Sequence, residues 1–272
     1  MDLNAYTSQI HLPQPQSRKG DNGKLLIIGG SALFHAASAW SLDIASRMVD
    51  MVFYSSLPEN NELIKEAKKQ FWDGVVVPRG EVRAYLEEAD CVLIGPGMMR
   101  DDETAALTHD LLQSYPTKKW VVDAGALQMA DASLFTSSMI ITPHRQEFAR
   151  VFGYVPSHHD DIKMTSKTHN NVVIVLKGHE DVVTDGVTLE KVEGGNGGMT
   201  KGGTGDVLAG LIASFYCTSP AFASAVMGST INKKAGDALF QEVGPFFNTS
   251  DLIHQLQKTL NNELVLPSVM SL

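Results

Sequence analysis

The sequence predicts a doubly wound α/β fold: one mainly parallel sheet with helices on both faces. Two observations carry this. Short runs apolar on both faces alternate with helix-like segments nearly throughout, and most of those runs end in a polar or glycine-rich turn. A strand covered on both sides reads as continuous apolar sequence, as do "KLLIIG" (24–29), "MVFY" (51–54), "GVVV" (74–77), "CVLI" (91–94), "WVVD" (120–123), "MIIT" (139–142) and "VVIVL" (172–176). Residues 33–49, 61–72, 81–89, 102–114 and 146–152 read as the intervening helices. The pattern then changes. "DVVTDGVTLEKV" (181–192) reads as a hairpin around Asp185-Gly186, and helices are expected at 206–216, 221–241 and 251–260. With no linker and no internal repeat, residues 1–272 are expected to form one domain.

Ligands of open parallel sheets gather beyond the carboxyl ends of the strands. "GGS" (29–31), "GPGM" (95–98), "DAGAL" (123–127), "TPHRQEF" (142–148) and "KGHED" (177–181) fall at such ends. Five such turns suggest a site.

Composition narrows the partners. The net charge of −9 disfavours nucleic acid and anionic membranes, which require a basic face. An anionic ligand therefore needs backbone amides and a few placed cations. Cys91 and Cys217 are too few for a disulfide framework and lack metal-ligand spacing, which fits a reducing cytoplasm. The first twenty residues have neither a basic start nor an apolar core, so no signal peptide is expected. The apolar run at 207–216 is half the length of a membrane span.

The most unusual stretch is "GGNGGMTKGGTGDVLAG" (194–210), in which seven of the twelve residues from Gly194 to Gly205 are glycine. It is not a P-loop, because Lys201 has no Ser or Thr after it. It is not the dinucleotide fingerprint either: Leu208 stands at the third glycine, and the stretch follows a hairpin. What remains is a glycine turn opening a helix near 204–206, since Val207, Leu208, Leu211, Ile212 and Phe215 have helical spacing. A helix start offers unpaired N–H groups and partial positive charge, and bare Gly202, Gly203 and Gly205 would let phosphate oxygens reach them. Asp206 is then either a first-turn acid that favours the helix or a base that takes a proton from an attacking hydroxyl. So many bare residues favour the chemical reading.

"NGGMTKGGTGDVLAG" resembles the signature of the NAD(P)H-hydrate dehydratase family, relatives of ribokinase. "RKGDNGKLLIIGGS" (18–31), "LIGPGM" (93–98), "VVDAGAL" (121–127), "TPHRQEF" (142–148), "VLKGHEDVVTDG" (175–186) and "SDLIHQL" (250–256) follow in the family's order, so the resemblance runs from about Arg18 to Leu260. It implies a ribokinase-like fold and coenzyme repair. Water adds slowly to a ring double bond of reduced nicotinamide coenzymes; the family phosphorylates the resulting (S)-hydrate with ADP or ATP and lets phosphate leave. Carried onto this chain, Asp206 is the catalytic residue and contacts the hydrate. Ala36, Gly97 and His144 line the hydrate pocket. Gly205 with Lys177, Gly178, His179, Glu180 and Asp181 holds the AMP portion of the nucleotide. The resemblance also implies Mg²⁺ with the nucleotide, although no compact acidic cluster identifies its ligands. It implies a homo-oligomer, commonly a tetramer, working with an epimerase that here is expected on a separate chain. The sequence itself does not decide between ADP and ATP; the resemblance favours ADP as the expected donor.

Residue by residue, blander roles stand beside these. Lys177 is otherwise a solvated strand-end lysine, His144 a helix-start residue after Pro143, and Gly97 a turn glycine. His35, Val49-Asp50-Met51, Met98 and Arg145-Gln146 depart from the family pattern, and these departures are expected to cluster around the hydrate pocket. His35 and Arg145 are candidates for contacts to the coenzyme's phosphates. "HHDD" (158–161) reads as a loop in which Asp160 caps a following helix rather than as a metal site. Trp40, Trp72 and Trp120 are expected to pack, Met98-Met99 to serve as pocket wall or filler, and "KEAKKQ" (65–70) to be a solvated face. Two alternatives remain: a small-molecule kinase of the same fold for a vitamin precursor or sugar, and a non-catalytic nucleotide-binding protein.

Overall fold

The computed structural model describes residues 3–71 and 73–265. The strands are β1 (Lys24–Ile28), β2 (Met51–Ser55), β3 (Val75–Val76), β4 (Cys91–Ile94), β5 (Lys119–Val122), β6 (Met139–Ile141), β7 (Val173–Leu176), β8 (Asp181–Thr184) and β9 (Leu189–Val192). They form one sheet in the order β3-β2-β1-β4-β5-β6-β7-β8-β9. The first seven are parallel, and the hairpin β8–β9 adds two antiparallel strands around the predicted Asp185-Gly186 turn. The α-helices are α1 (Leu3–Thr7), α2 (Ala36–Ala45), α3 (Pro58–Ala67), α4 (Val82–Glu88), α5 (Asp102–Ser114), α6 (Ala124–Met129), α7 (Arg145–Phe152), α8 (His159–Thr168), α9 (Thr204–Thr218), α10 (Ala221–Val243) and α11 (Thr249–Leu260).

The double-sided core follows from strand alternation. Leu25, Ile27 and Leu93 face α2, α9 and α10, whereas Leu26, Ile28 and Val92 face α4 to α8. Residues one apart on a strand point to opposite faces, so a run that is apolar throughout serves both layers. Truncating a fully buried member such as Ile27 to Ala costs about 2–5 kcal/mol. A third apolar cluster joins α9, α10 and α11 through Leu211, Ile231 and Leu252.

Several boundaries differ from expectation for identifiable reasons. Helix α3 starts at Pro58, whose fixed φ suits a first helical turn, and ends at Ala67. Trp72, expected to end that helix and to pack, lies outside the described residues. The "DAGAL" turn is the start of the short α6, and α8 occupies 159–168. Helix α8 is capped by Asp161, which accepts from the Ser157 and His158 amides, rather than by Asp160. Trp120 is fully buried, and the face at 65–70 is solvated as expected.

Because β1 pairs with β2 on one side and β4 on the other, the chain's path reverses there, and a crevice opens beyond the carboxyl ends of the strands. Gly29, Gly95, Asp123, Thr142 and Lys177 each follow a strand on this edge. Val49-Asp50-Met51 lies at the other edge, where Met51 begins β2 and the Asp50 carboxylate accepts from the Gly20 and Asn22 amides. The expectation that this departure adjoins the hydrate pocket is therefore incorrect.

Candidate active site

The glycine turn brings α9 to the crevice. Gly203 precedes the helix at φ 103°, and a Cβ there would meet the Trp40 ring at 2.4 Å and Thr249 Oγ1 at 2.7 Å. A left-handed backbone under an indole admits only glycine. Gly203 therefore has a packing reason to be glycine. Gly202 and Gly205 are different. Nothing lies within 4 Å of a Cβ on Gly202, and Gly205 would meet only Lys177 Nζ at 3.6 Å. The turn is held by Asn196, which accepts from the Gly198 amide and donates to Gly236 O, and by Thr204 Oγ1, which donates to Met199 O at 2.7 Å.

The first turn of α9 stands between two clefts. Thr204 and Gly205 face one of about 390 Å³, shared with Gly178, Gly195 and Asn232. Asp206 faces the other, about 670 Å³, with Ala36, Trp40, Gly97 and Met98. Consecutive residues thus open onto different cavities.

The smaller cleft is braced by committed charges. Asp181, 4% exposed, accepts from the Gly178 amide at 2.9 Å and from Ser229 Oγ at 2.5 Å. Lys233 in α10 donates to the carbonyls of Gly178, His179 and Gly194 and lies 3.3 Å from Asp181. A buried ion pair with its remaining valences filled fixes the 177–181 turn. His179 also lines the cleft. Glu180 turns away, 3.4 Å from His159 and 3.7 Å from Lys191.

Behind both clefts lies a buried charge network. Lys177 Nζ donates to Asp123 Oδ1 at 2.9 Å and lies 3.8 Å from Glu147. Thr142 Oγ1 donates to Asp123 at 2.7 Å, and Gln128 and the His144 amide donate to Glu147. Burial opposes the Lys177 charge, but Asp123 and Glu147 outweigh it and raise the ammonium's pKa. Burial likewise raises the Glu147 carboxyl, against Lys177. Asp206 responds too. Burial, then the Asp123 charge, lifts it from 3.8 to about 7 despite Lys177. Such a carboxyl is balanced between holding and accepting a proton near neutral pH, as a general base requires. Asp206 sits in the first turn of α9, where an acid also favours the helix; the N-cap position is Gly203, and Ser41 Oγ donates to the Asp206 carbonyl.

Ala36, Gly97 and Asp206 therefore share one cleft, while Lys177, Gly178, His179, Asp181 and Gly205 share the other. Gly97 also has a local reason to be glycine, since at φ 74° its Cβ would lie 2.8 Å from Phe34 O. His144 is outside the lining of the larger cleft. Its ring caps α7, accepting from the Gln146 and Glu147 amides, and it reaches the cleft only through Glu147 and Gln128. Arg145 donates to Pro156 O beside His158 and His159, whereas His35 hydrogen-bonds Asn60 and lines the larger cleft. Met98 is buried pocket wall, and Met99 is exposed. Sequence reasoning missed Asp123, Glu147 and Lys233. Asp123 closes the "WVVD" strand and Glu147 sits within "TPHRQEF", so both were marked by strand-end turns; Lys233, in mid-helix, carried no signal. Among the described residues no three His, Cys, Asp or Glu side chains converge to hold a metal.

The fold and this edge define an α/β protein of ribokinase-like type. Over 97% of the chain and 95% of its counterpart, it superposes at TM-score 0.85 on a ribokinase-like superfamily protein from Enterococcus faecalis V583, 21% identical. Residues 25–258 match the family model described as NAD(P)H-hydrate dehydratase, and the chain belongs to that family. It is 36% identical over 251 residues to the bifunctional NAD(P)H-hydrate repair enzyme Nnr of Methanocaldococcus jannaschii, covering 90% of this chain and 49% of that protein. It is 30% identical over 264 residues to the ADP-dependent (S)-NAD(P)H-hydrate dehydratase of Nitrosopumilus maritimus, covering 90% and 91%. The chain spans about half the length of several of the curated relatives it matches.

Proposed function

We propose that this chain, acting as a single domain, dehydrates the (S)-hydrate of NADH or NADPH back to the reduced coenzyme, driven by ADP or ATP through a phosphorylated intermediate. One observation carries the reading: Gly205 and Asp206, adjacent in the first turn of α9, open onto separate clefts. A nucleotide in the smaller cleft presents its terminal phosphate to the amides at the helix start. A hydrate in the larger cleft presents its hydroxyl to Asp206. Asp206 takes the hydroxyl proton, the oxygen attacks the terminal phosphorus, and AMP (from ADP) or ADP (from ATP) departs. In the second half the C–O bond breaks toward phosphate, a neighbouring ring hydrogen leaves as a proton, and the double bond returns. Gly178, Asp181 and Lys233 hold the nucleotide turn rigid, and Lys177 holds Asp123 and Glu147 beside Asp206.

Mg²⁺ belongs to this proposal. It favours substrate phosphates and water with at most one or two carboxylates, which leaves Asp206 as the carboxylate facing the larger cleft, since Asp123 is buried and bonded to Lys177 and Thr142. When bound it would neutralise charge on the transferring phosphoryl group. The ADP-dependent relative supports ADP as donor. Two free, buried cysteines support a reducing cytoplasm, and no helix of the described residues is long and apolar enough to cross a membrane. Tetrameric assembly and work alongside a separate epimerase enter from the family resemblance, and sedimentation of the purified chain tests the assembly.

The direct test mixes purified protein with hydrated NADH, Mg²⁺ and either nucleotide. Return of reduced-nicotinamide absorbance is expected, faster with ADP. No recovery with either nucleotide, from folded protein that still binds AMP, rules the proposal out.

A further inference from the structure

We infer that Arg100 is the phosphate anchor of the larger cleft, gripping the dinucleotide's charged portion while its ring lies at Asp206; this rests on the proposed function. The coenzyme hydrate carries a pyrophosphate, and in the NADPH form a further ribose phosphate, yet the chain's net charge is −9. An anion entering such a protein needs a local cation. The lysines near α9 are already engaged: Lys177 by Asp123, Lys233 by Asp181 and three carbonyls, Lys201 by the Gly198 and Pro245 carbonyls, and Lys119 by the Tyr216 and Cys217 carbonyls. Arg100 is the one arginine or lysine among the described residues lining the larger cleft. It is exposed, has no carboxylate within ion-pair distance among the described residues, and makes only a long 3.4 Å hydrogen bond to Gln128 Oε1.

The cleft's chemistry is graded to match. Trp40, Met98 and the half-exposed Phe34 give it apolar walls suited to a flat ring, and Asp206 supplies its acid. Arg100 supplies the positive charge. A guanidinium presents a planar fork of donors that matches two phosphate oxygens at once, which a lysine ammonium does not. Gln128 steadies that fork from one side while its own amide is held by Glu147. Arg100 thus binds and orients the substrate without touching the reacting atoms.

Calorimetric binding of NADH hydrate and NADPH hydrate, with ADP as a control, tests this on the wild-type, Arg100→Gln and Arg100→Lys proteins. Arg100→Gln is expected to weaken hydrate binding about tenfold or more and flatten its salt dependence, with Arg100→Lys between and ADP affinity unchanged. Equal loss for both hydrates assigns the contact to the pyrophosphate; loss confined to NADPH hydrate assigns it to the ribose phosphate. Either supports the anchor. Hydrate affinities within twofold of wild type, with ADP binding intact, overturn it. Because binding is measured without turnover, failure of the dehydration reaction and failure of the anchor are read separately.

Discussion

The two clefts flanking α9 are built in contrasting ways. The smaller exposes the main chain of Gly178, Gly194, Gly195, Gly197 and Gly205 beside side chains such as His179 and Met199, and is braced by the Lys233–Asp181 pair. The larger joins its own glycines, Gly97, Gly125, Gly202 and Gly203, to bulky and charged side chains from separated segments: Phe34, Trp40, Met98, Arg100 and Asp206. A main-chain site tolerates almost no change, since every added atom occupies ligand space. A side-chain site is free to vary, and His35 and Met98, both departures from the family pattern, line it. The difference teaches that the smaller cleft depends more on bare main chain and the larger on the choice of its side chains.

The sharpest way to break this contrast is Asp206→Asn. Turnover is expected to fall about 10²–10⁴-fold, the range of general acid–base catalysis, while ADP affinity holds or improves because a repulsive charge is gone. Full activity in that variant would reduce the residue to a helix-start acid. Lys233→Met attacks the brace. It leaves Asp181 buried without its partner and should cost about 3–5 kcal/mol in urea denaturation, a loss absent if the pair is ornamental.

The two α9 glycines then sharpen the comparison. Gly203→Ala forces a Cβ into Trp40 at positive φ and should destabilise by about 1–3 kcal/mol. Gly205→Ala has room, sits in a helix, and should keep or slightly raise the melting temperature. Its ADP affinity should nevertheless drop about tenfold, the equivalent of one lost hydrogen bond. If Gly205→Ala binds ADP normally, bare backbone is not what meets the nucleotide.

The smallest expected effect is the pH dependence of stability. The carboxyl of Asp206 has a folded-state pKa of about 7, above its ordinary 3.8, so the fold favours its protonated form. Its contribution is full below 3.8 and is lost as pH rises through about 7. Asp206→Asn should accordingly be more stable than wild type above pH 7, by about 1–2 kcal/mol after solvent screening of a partly exposed group, and the gain should vanish near pH 4. In kinetics, kcat/KM should climb with pH, reach half its plateau near 7 and level off about one unit higher.

Much of this was legible in the sequence because the fold is written in local patterns. Runs such as "CVLI" and "VVIVL" need no partner to be recognised as doubly buried strands, and Asp185-Gly186 announced its hairpin. The glycine turn and Asp206 were legible through spacing. Four things were not. The purpose of Gly203 depends on Trp40, 163 positions away in sequence, and so cannot be separated from that of Gly205 by inspection. The network of Asp123, Glu147 and Lys177 joins the ends of β5 and β7 with α7, and its effect on Asp206 exists only after folding. Lys233 looks like any helix lysine until α10 packs it under the 177–181 turn. The short helices α1 and α6 lack enough turns for a periodic signal.

A structure of the protein crystallised with ADP and Mg²⁺ tests the central claim most directly. The account predicts the terminal phosphorus against the amides of Gly205 and its neighbours, on the opposite side of the α9 turn from the hydrate cleft and within reach of a hydroxyl held by Asp206. Nucleotide density elsewhere, or a terminal phosphate pointing away from α9 with the Asp206 carboxyl turned to bulk water, would contradict it.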